Sequence, residues 1–273
     1  MPKIAAVIVT FNPEISILKK SLVSLISQVD AIIIVDNGSK TSWLEQIGKN
    51  LKIKTIFLKD NTGIAYALNQ GISYANKIDP DWILTLDQDT IVYENAINSS
   101  FDAYNKLDSK FKDKVGLICL NHKEGNPESK FTVQKFVITS GNFIKKEVFR
   151  KISFREDFFI DQVDFEFDLN VSKYGYKILL YNPCLMTHVI GVASKNGKLF
   201  EPVWRVYYIT RNSTFLVTRY NNFGFKNYFL QLLHTYFRTL SQLGIKSSFS
   251  LAHVFIKGVI DGIFGKLGKI YAP

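Results

Sequence analysis

A chain of 273 residues, 47% apolar and 21% charged, is long enough to bury a substantial core and too apolar for general disorder. Lys and Arg outnumber Asp and Glu by 34 to 24, yet the basic residues form no dense run, which argues against a nucleic-acid binder. Half of the +10 excess lies near the end, where Lys226, Arg238, Lys246, Lys257, Lys266 and Lys269 face Asp261 alone between residues 222 and 273.

The opening "MPKIAAVIVTFNP" lacks the long apolar core and small-residue cleavage site of a signal peptide. No uncharged stretch reaches the roughly 18–20 residues of a spanning helix. Along the first ninety residues the apolar period alternates. "KIAAVIVTF" reads as a strand buried on both faces, and Ile15, Leu18, Leu22, Leu25 and Ile26 recur at helical spacing. "AIIIVD" is a strand, "NGSKTS" a loop before a short helix, "KIKTIFL" a strand, "GIAYALNQGISYA" a helix and "DWILTLD" a fourth strand. This alternation predicts an α/β fold on a mostly parallel sheet. Ligands of such sheets bind beyond the carboxyl ends of the strands. Those ends are Thr10-Phe11-Asn12, Asp36-Asn37-Gly38-Ser39, Asp60-Asn61 and Asp87-Gln88-Asp89, polar in every case.

In extended chain Asp87 and Asp89 project to one side, where like charges repel by about 2–3 kcal/mol at an effective dielectric of about 20. A divalent cation that also grips a diphosphate offsets the repulsion; the alternatives are a capped turn or the nucleophile of an aspartyl phosphatase. Further on, "VGLICL" and "FTVQKFVIT" read as strands that mix with short helices up to about Asn182. Cys119 and Cys184 lie in largely apolar segments and are expected as buried free thiols rather than metal ligands.

In "EDFFIDQVDFEFDLNVSKYGYKI" the acids Asp157, Asp161, Asp164, Glu166 and Asp168 crowd among phenylalanines. Acids so placed have raised pKa values and can act as general bases near neutral pH. His188 in "YNPCLMTHVIG" is either a packed core residue or, if its strand runs beside Asp87 and Asp89, a metal ligand. "VWRVYYITRNSTF" is read as a helix whose Arg205 and Arg211 are helix surface or, in one case, a phosphate contact; Arg211 is assigned to the nucleotide-sugar site. In the tail, Tyr228, Phe229, Leu232, Leu233, Tyr236, Phe237 and Leu240 are assigned to one helical face, and Ala252, Phe255, Val259, Ile260, Ile263 and Phe264 to another. These faces either pack on the rest of the chain or on a second subunit, or meet an anionic membrane.

Taken in order, "VIVTFNP", "IIIVDNGS", "NTGIAYALNQGI", "LTLDQDT", "FFIDQVDFEF" with "YGY", His188 and "YYITRN" resemble the family-2 glycosyltransferases of the GT-A fold, most of all bacterial rhamnosyltransferases of cell-surface polysaccharide synthesis. The resemblance covers about residues 3 to 215. It implies a catalytic domain over 1–215, with a nucleotide half up to about 90 and an acceptor half after it, and a helical extension over 216–273. It also implies that Thr10, Asn12 and Asp36 cradle base and ribose, that Asn61 and Gly63 border the nucleotide-sugar, and that Asp87, Asp89 and His188 hold Mg²⁺ or Mn²⁺ on its diphosphate. Asp164 matches the catalytic base, Asp161 and Glu166 line the acceptor pocket or orient that base, and Thr139–Phe143 lies near sugar and acceptor. The implied reaction inverts the anomeric carbon. The donor so implied is dTDP-rhamnose, with UDP-linked galactofuranose, glucose or N-acetylglucosamine as alternatives, and the acceptor a lipid-linked saccharide. A cytoplasmic, membrane-peripheral enzyme follows, with an inactive sugar-binding or scaffolding homologue as the non-enzymatic alternative.

Overall fold

The computed structural model describes residues 1–40, 43–47, 50–123, 125, 128–188, 192–193, 199–200, 202–243 and 248–271. The first half alternates as its sequence periods predict: β1 (Ile4–Thr10), α1 (Ile15–Ile26), β2 (Ala31–Asp36), α2 (Leu44–Ile47), β3 (Ile53–Phe57), α3 (Ile64–Ala75) and β4 (Trp82–Asp87). There follow β5 (Ile91–Val92), α4 (Ala96–Asn105), α5 (Ser109–Lys112), β6 (Val115–Asn121), β7 (Phe131–Gln134), β8 (Asn142–Lys145), α6 (Val163–Lys173), β9 (Lys177–Cys184) and β10 (Met186–Thr187). Short strands β11 (Val192–Ala193) and β12 (Leu199–Phe200) pair with each other and lead into α7 (Val203–Arg219), α8 (Phe225–Leu243) and α9 (Ser248–Phe264). Of "FTVQKFVIT" only Phe131–Gln134 is strand.

Eight strands form one sheet in the order β3-β2-β1-β4-β8-β6-β9-β7. The pairs β3–β2, β2–β1, β1–β4 and β6–β9 are parallel, whereas β8 runs against both of its neighbours and β7 against β9. β1 is buried along its whole length because both faces are covered. Ala5, Val7 and Val9 enter one core with α3, α6 and residues of α7 and α8, while Ile4, Ala6 and Ile8 enter the other with α1 and α4. α3 lies so close to β1 that a Cβ on Gly71 would stand 2.4 Å from Val7. Tertiary burial of this kind, rather than helix propensity, holds such helices in place.

α7 runs without a break through position 215, the expected domain boundary, and most of it is buried. α9 packs along it, with Val206, Tyr207, Tyr208, Leu251 and Val254 in a third core. The chain then turns back over α7: the Tyr208 hydroxyl accepts from the amides of Ile270 and Tyr271 and donates to the Tyr271 carbonyl. Cys119 is buried and Cys184 half-buried, both as free thiols. Burial pushes the Cys119 thiol upward, so it is inert at neutral pH.

Candidate active site

β1, β2 and β4 are in register so that Thr10 lies beside Asp36 and Val9 beside Asp87, which brings three polar strand ends to one edge. At the first of these ends Asp36 is almost fully buried. Its carboxylate accepts from Thr10 Oγ1 (3.0 Å), Trp43 Nε1 (2.9 Å) and the amide and hydroxyl of Ser39 (3.0 and 2.5 Å). A buried carboxylate needs such a donor set, and here the set fixes the loop after β2. Asn12, at φ 46°, accepts from the Lys40 amide and extends the same loop contact. Asn37 receives Thr62 and donates to Asn61, whose side chain also takes the Gly63 amide. Gly63 has φ 93°, and a Cβ there would stand 2.4 Å from the Phe159 carbonyl, so only glycine fits.

The apolar run of β4 ends at Asp87, and Gln88 turns back to accept from the Phe11 amide at 2.8 Å. That leaves Asp87 and Asp89 on the cleft. The pairing of β10 with β5 carries His188 to them: its Nε2 lies 3.7 Å from Asp87 Oδ2 and its Nδ1 3.5 Å from Asp89 Oδ1. The condition for His188 as a ligand, a strand running beside the two aspartates, is therefore met. A relay orients the ring. The Asp87 amide donates to Ser140 Oγ (3.0 Å), Ser140 Oγ meets Thr90 Oγ1 (2.7 Å), and Thr90 Oγ1 meets His188 Nδ1 (2.8 Å). The Asp87 side chain keeps 38% of its surface. Its position low in the cleft nevertheless raises its carboxyl, an effect that His188 opposes and Asp89 reinforces. Burial lowers the His188 imidazole, and the two carboxylates outweigh it.

One oxygen in this group has no protein partner. Asp89 Oδ1 is buried without a hydrogen bond, and one atom from each of Asp87, Asp89 and His188 falls within 4.8 Å of the others. Two carboxylates and an imidazole with an orphaned oxygen fit a divalent cation by the chemistry of the donor set.

Asp164 stands in the first turn of α6. Three residues just before it, Phe159, Asp161 and Gln162, hold positive φ values of 67°, 62° and 61°. Each such conformation costs about 1–3 kcal/mol and persists only where its surroundings impose it. Here they do. Asn212 Nδ2 donates to the carbonyls of Phe158, Ile160 and Asp161, Arg211 Nη2 to that of Phe158 (2.9 Å), and the Ile64 amide to that of Phe159 (2.8 Å). Arg205 clamps the Asp161 carboxylate through Nε and Nη2 at 2.8–3.1 Å. Burial raises the Asp164 carboxyl to about 7 against a hydrogen bond from the Phe165 amide, and the charges of Asp161 and Asp87 add to the rise.

Two expected site residues lie elsewhere. Arg211 is fully buried, its guanidinium over Tyr208 and bonded to Asn212 and to the carbonyls of Phe158 and Gly268. It buttresses the loop before α6 and presents no free edge to a phosphate. Glu166 is buried against Tyr220 and Asn170, with Arg155 as its charged neighbour, whereas the charged neighbours of Asp164 are Asp161 and Asp87. Two residues along a helix turn side chains about 200° apart, which separates this pair. Asn212, Ser140 and Thr90 do more here than the sequence disclosed. Buried polar side chains on a helix carry no periodic signal, and hydroxyls in turns read first as caps.

The chain belongs to glycosyl transferase family 2, whose pattern its residues 5–153 match, over half of its length. It is 29% identical across 291 aligned positions to the dTDP-rhamnosyl transferase RfbF of Shigella flexneri, over 97% of either chain. Among solved structures it resembles S. aureus TarS, with a TM-score of 0.60 and 16% identity, over 96% of this chain and 50% of the longer TarS chain. TarS 1–349 in complex with UDP-GlcNAc matches with a TM-score of 0.59 and 15% identity, over 96% and 83%. The protein is a family-2 glycosyltransferase with the GT-A fold.

Proposed function

We propose that this glycosyltransferase moves L-rhamnose from dTDP-rhamnose onto a lipid-linked saccharide acceptor in surface polysaccharide synthesis, with inversion at the anomeric carbon. The observation that carries the reading is the meeting of Asp164, raised to about 7, with the Asp87–Asp89–His188 group across one cleft. The rhamnosyl donor is supported by the 29% identity to RfbF.

Thr10, Asn12 and Asp36 shape the pocket for base and ribose, and Asn61 and Gly63 its far wall. Asp87, Asp89 and His188 would hold Mg²⁺ or Mn²⁺. When bound, that cation supplies positive charge against the diphosphate. Asp164 takes the proton of the acceptor hydroxyl as its oxygen bonds to the anomeric carbon and the bond from that carbon to the diphosphate oxygen breaks on the opposite side. A carboxyl near 7 is partly ionised at neutral pH, so it can receive the proton there. Asp161, held by Arg205, sets the approach to Asp164. Residues 1–215 supply these groups, and 216–273 brace them.

Thermal unfolding with dTDP, UDP and GDP, each with and without Mn²⁺, tests the reading. Metal-dependent stabilisation by dTDP is expected. Stabilisation by UDP alone redirects the donor, and no shift with any nucleotide removes the transferase assignment to this cleft.

A further inference from the structure

The sequence assigns Tyr228, Phe229, Leu232, Leu233, Tyr236, Phe237 and Leu240 to one helical face, but folding divides them. Tyr228 and Leu232 turn inward, whereas Phe225, Phe229, Leu233 and Phe237 form an outward row at four-residue spacing. Their exposures are 68%, 51%, 36% and 59%, high for large apolar side chains in a row about 18 Å long. On α9 the inner side meets α7 through Leu251, Val254 and Gly258, and Phe249, Ile256, Ile260 and Phe264 stay exposed, Phe249 at 88% and Phe264 at 71%.

Charge distinguishes this surface from the rest of the molecule. Asp261 is the one acid after residue 201, and it is buried against Tyr207 and Lys257. The outward surface of α8 and α9 therefore carries no exposed carboxylate, while Arg219, Lys226 and Lys266 are exposed where α7 ends, α8 begins and α9 ends. These ends are neighbours, because Arg219 Nη2 reaches the Ile263 carbonyl. Beside them a cleft of about 440 Å³ is lined by Arg155, Lys173, Arg219, Tyr220, Asn221 and Asn222. No helix among the described residues is long and apolar enough to cross a membrane.

We propose that α8 and α9 form a docking surface for an anionic lipid bilayer. The phenylalanine rows enter the headgroup–acyl boundary, and the cationic end, with its cleft, receives lipid phosphate. Helices with an apolar row, basic flanks and too little length to span lie in the plane of the interface. Anionic headgroups attract such flanks within about a Debye length. A second copy of this chain fits less well, since pairing two such faces sets like charges against each other with no exposed acid to answer them. The docking surface also reaches the site: past α9 the chain crosses to the donor side, where Lys269 Nζ donates to the Asn61 carbonyl at 2.7 Å. A lipid-anchored acceptor would thus arrive on the same side as the enzyme's own anchor. The surface stands on its own observations and does not rest on the choice of donor.

Cosedimentation of the full chain with phosphatidylcholine vesicles, with and without about 30% phosphatidylglycerol, is the test. The protein should pellet with the anionic vesicles, remain in the supernatant with the neutral ones, and release as salt rises. Phe229→Ser with Phe237→Ser should weaken partition at least tenfold with an unchanged thermal midpoint, since both rings are exposed. Lys226→Gln with Lys266→Gln should abolish the preference for anionic lipid. Wild type left in the supernatant with both vesicle types overturns the proposal, as does a Phe229/Phe237 double variant that pellets like wild type. A wild-type dimer that the same double variant converts to monomer, without vesicle binding, assigns the face to a second copy instead. Vesicle binding to phosphatidylglycerol that free inorganic phosphate fully competes, with the phenylalanines dispensable, reduces the site to a phosphate cleft and also overturns it.

Discussion

Asp164 owes its properties to two opposed effects at one position. The first turn of a helix favours a carboxylate, and the Phe165 amide donates to it, but burial and the charges of Asp161 and Asp87 prevail and raise the carboxyl to about 7. Because the base must be ionised to accept a proton, kcat/KM should fall about tenfold per pH unit below 7 and level off above it. Initial rates between pH 5.5 and 8.5 check this, and a profile flat across that range removes Asp164 as the base. Asp164→Asn should lower kcat by about 10²- to 10⁴-fold and leave nucleotide-induced stabilisation intact. Thr90 tests a separate role. Its hydroxyl is the hydrogen-bonded contact of the His188 ring and links it to Ser140, so Thr90→Val frees the imidazole to rotate. The concentration of Mn²⁺ needed for half-maximal stabilisation by nucleotide should then rise about 10- to 100-fold. An unchanged requirement would show that Thr90 does not orient a ligand.

At the scale of elements, the close approach of α9 to α7 rests on two glycines. A Cβ on Gly262 would stand 2.4 Å from the Arg211 carbonyl, and one on Gly258 2.9 Å from that of Tyr207. Within an exposed helix Gly→Ala stabilises by about 0.5–1 kcal/mol, but here the methyl meets backbone that cannot yield. Gly262→Ala should therefore destabilise by about 1–3 kcal/mol, read as a lower midpoint in urea. A gain would show that the two helices can separate without cost. The same pair of helices marks where the sequence stops being legible. The strands β1 to β4 announce themselves by continuous apolar runs that end in polar residues, and the acids at those ends lie where the periodicity places them. α7 gives the opposite signal. Thr210, Arg211, Asn212, Ser213 and Thr214 are all buried, although five polar residues in succession read as solvent-facing helix. Their partners are backbone carbonyls of a loop some fifty residues earlier, which no local pattern encodes. β8 is also obscure: four residues inserted antiparallel between β4 and β6 are too short for a period to show. On α8 the apolar residues are legible, but which of two adjacent rows turns inward depends on what α7 offers.

For the whole molecule, the last helices are braces as well as surface. Tyr207, Tyr208 and Arg211 are fully buried partly because α9 and the returning chain cover them. Tyr207 donates to Asp261, Tyr208 bonds the backbone at 270–271, and Arg211 reaches the Gly268 carbonyl. The Gly268 amide in turn donates to the Asp157 carbonyl at 2.7 Å, at the start of the loop that presents Asp161 and Asp164. Removing residues 222–273 therefore does not excise an appendage. It uncovers two tyrosines and a guanidinium and leaves their hydrogen bonds unmade, at about 1–3 kcal/mol for each buried group without a partner. It also frees a loop that holds three strained residues. A chain ending at Asn221 should aggregate, or unfold at least 10 °C below the full chain, and should lose nucleotide-dependent stabilisation even though every proposed donor residue lies before the cut. Thermal unfolding and size-exclusion chromatography of the truncated chain check this. A monomer with the full-length midpoint and an intact nucleotide response would show that the site is complete without α8 and α9, and would return them to the role of a separable extension.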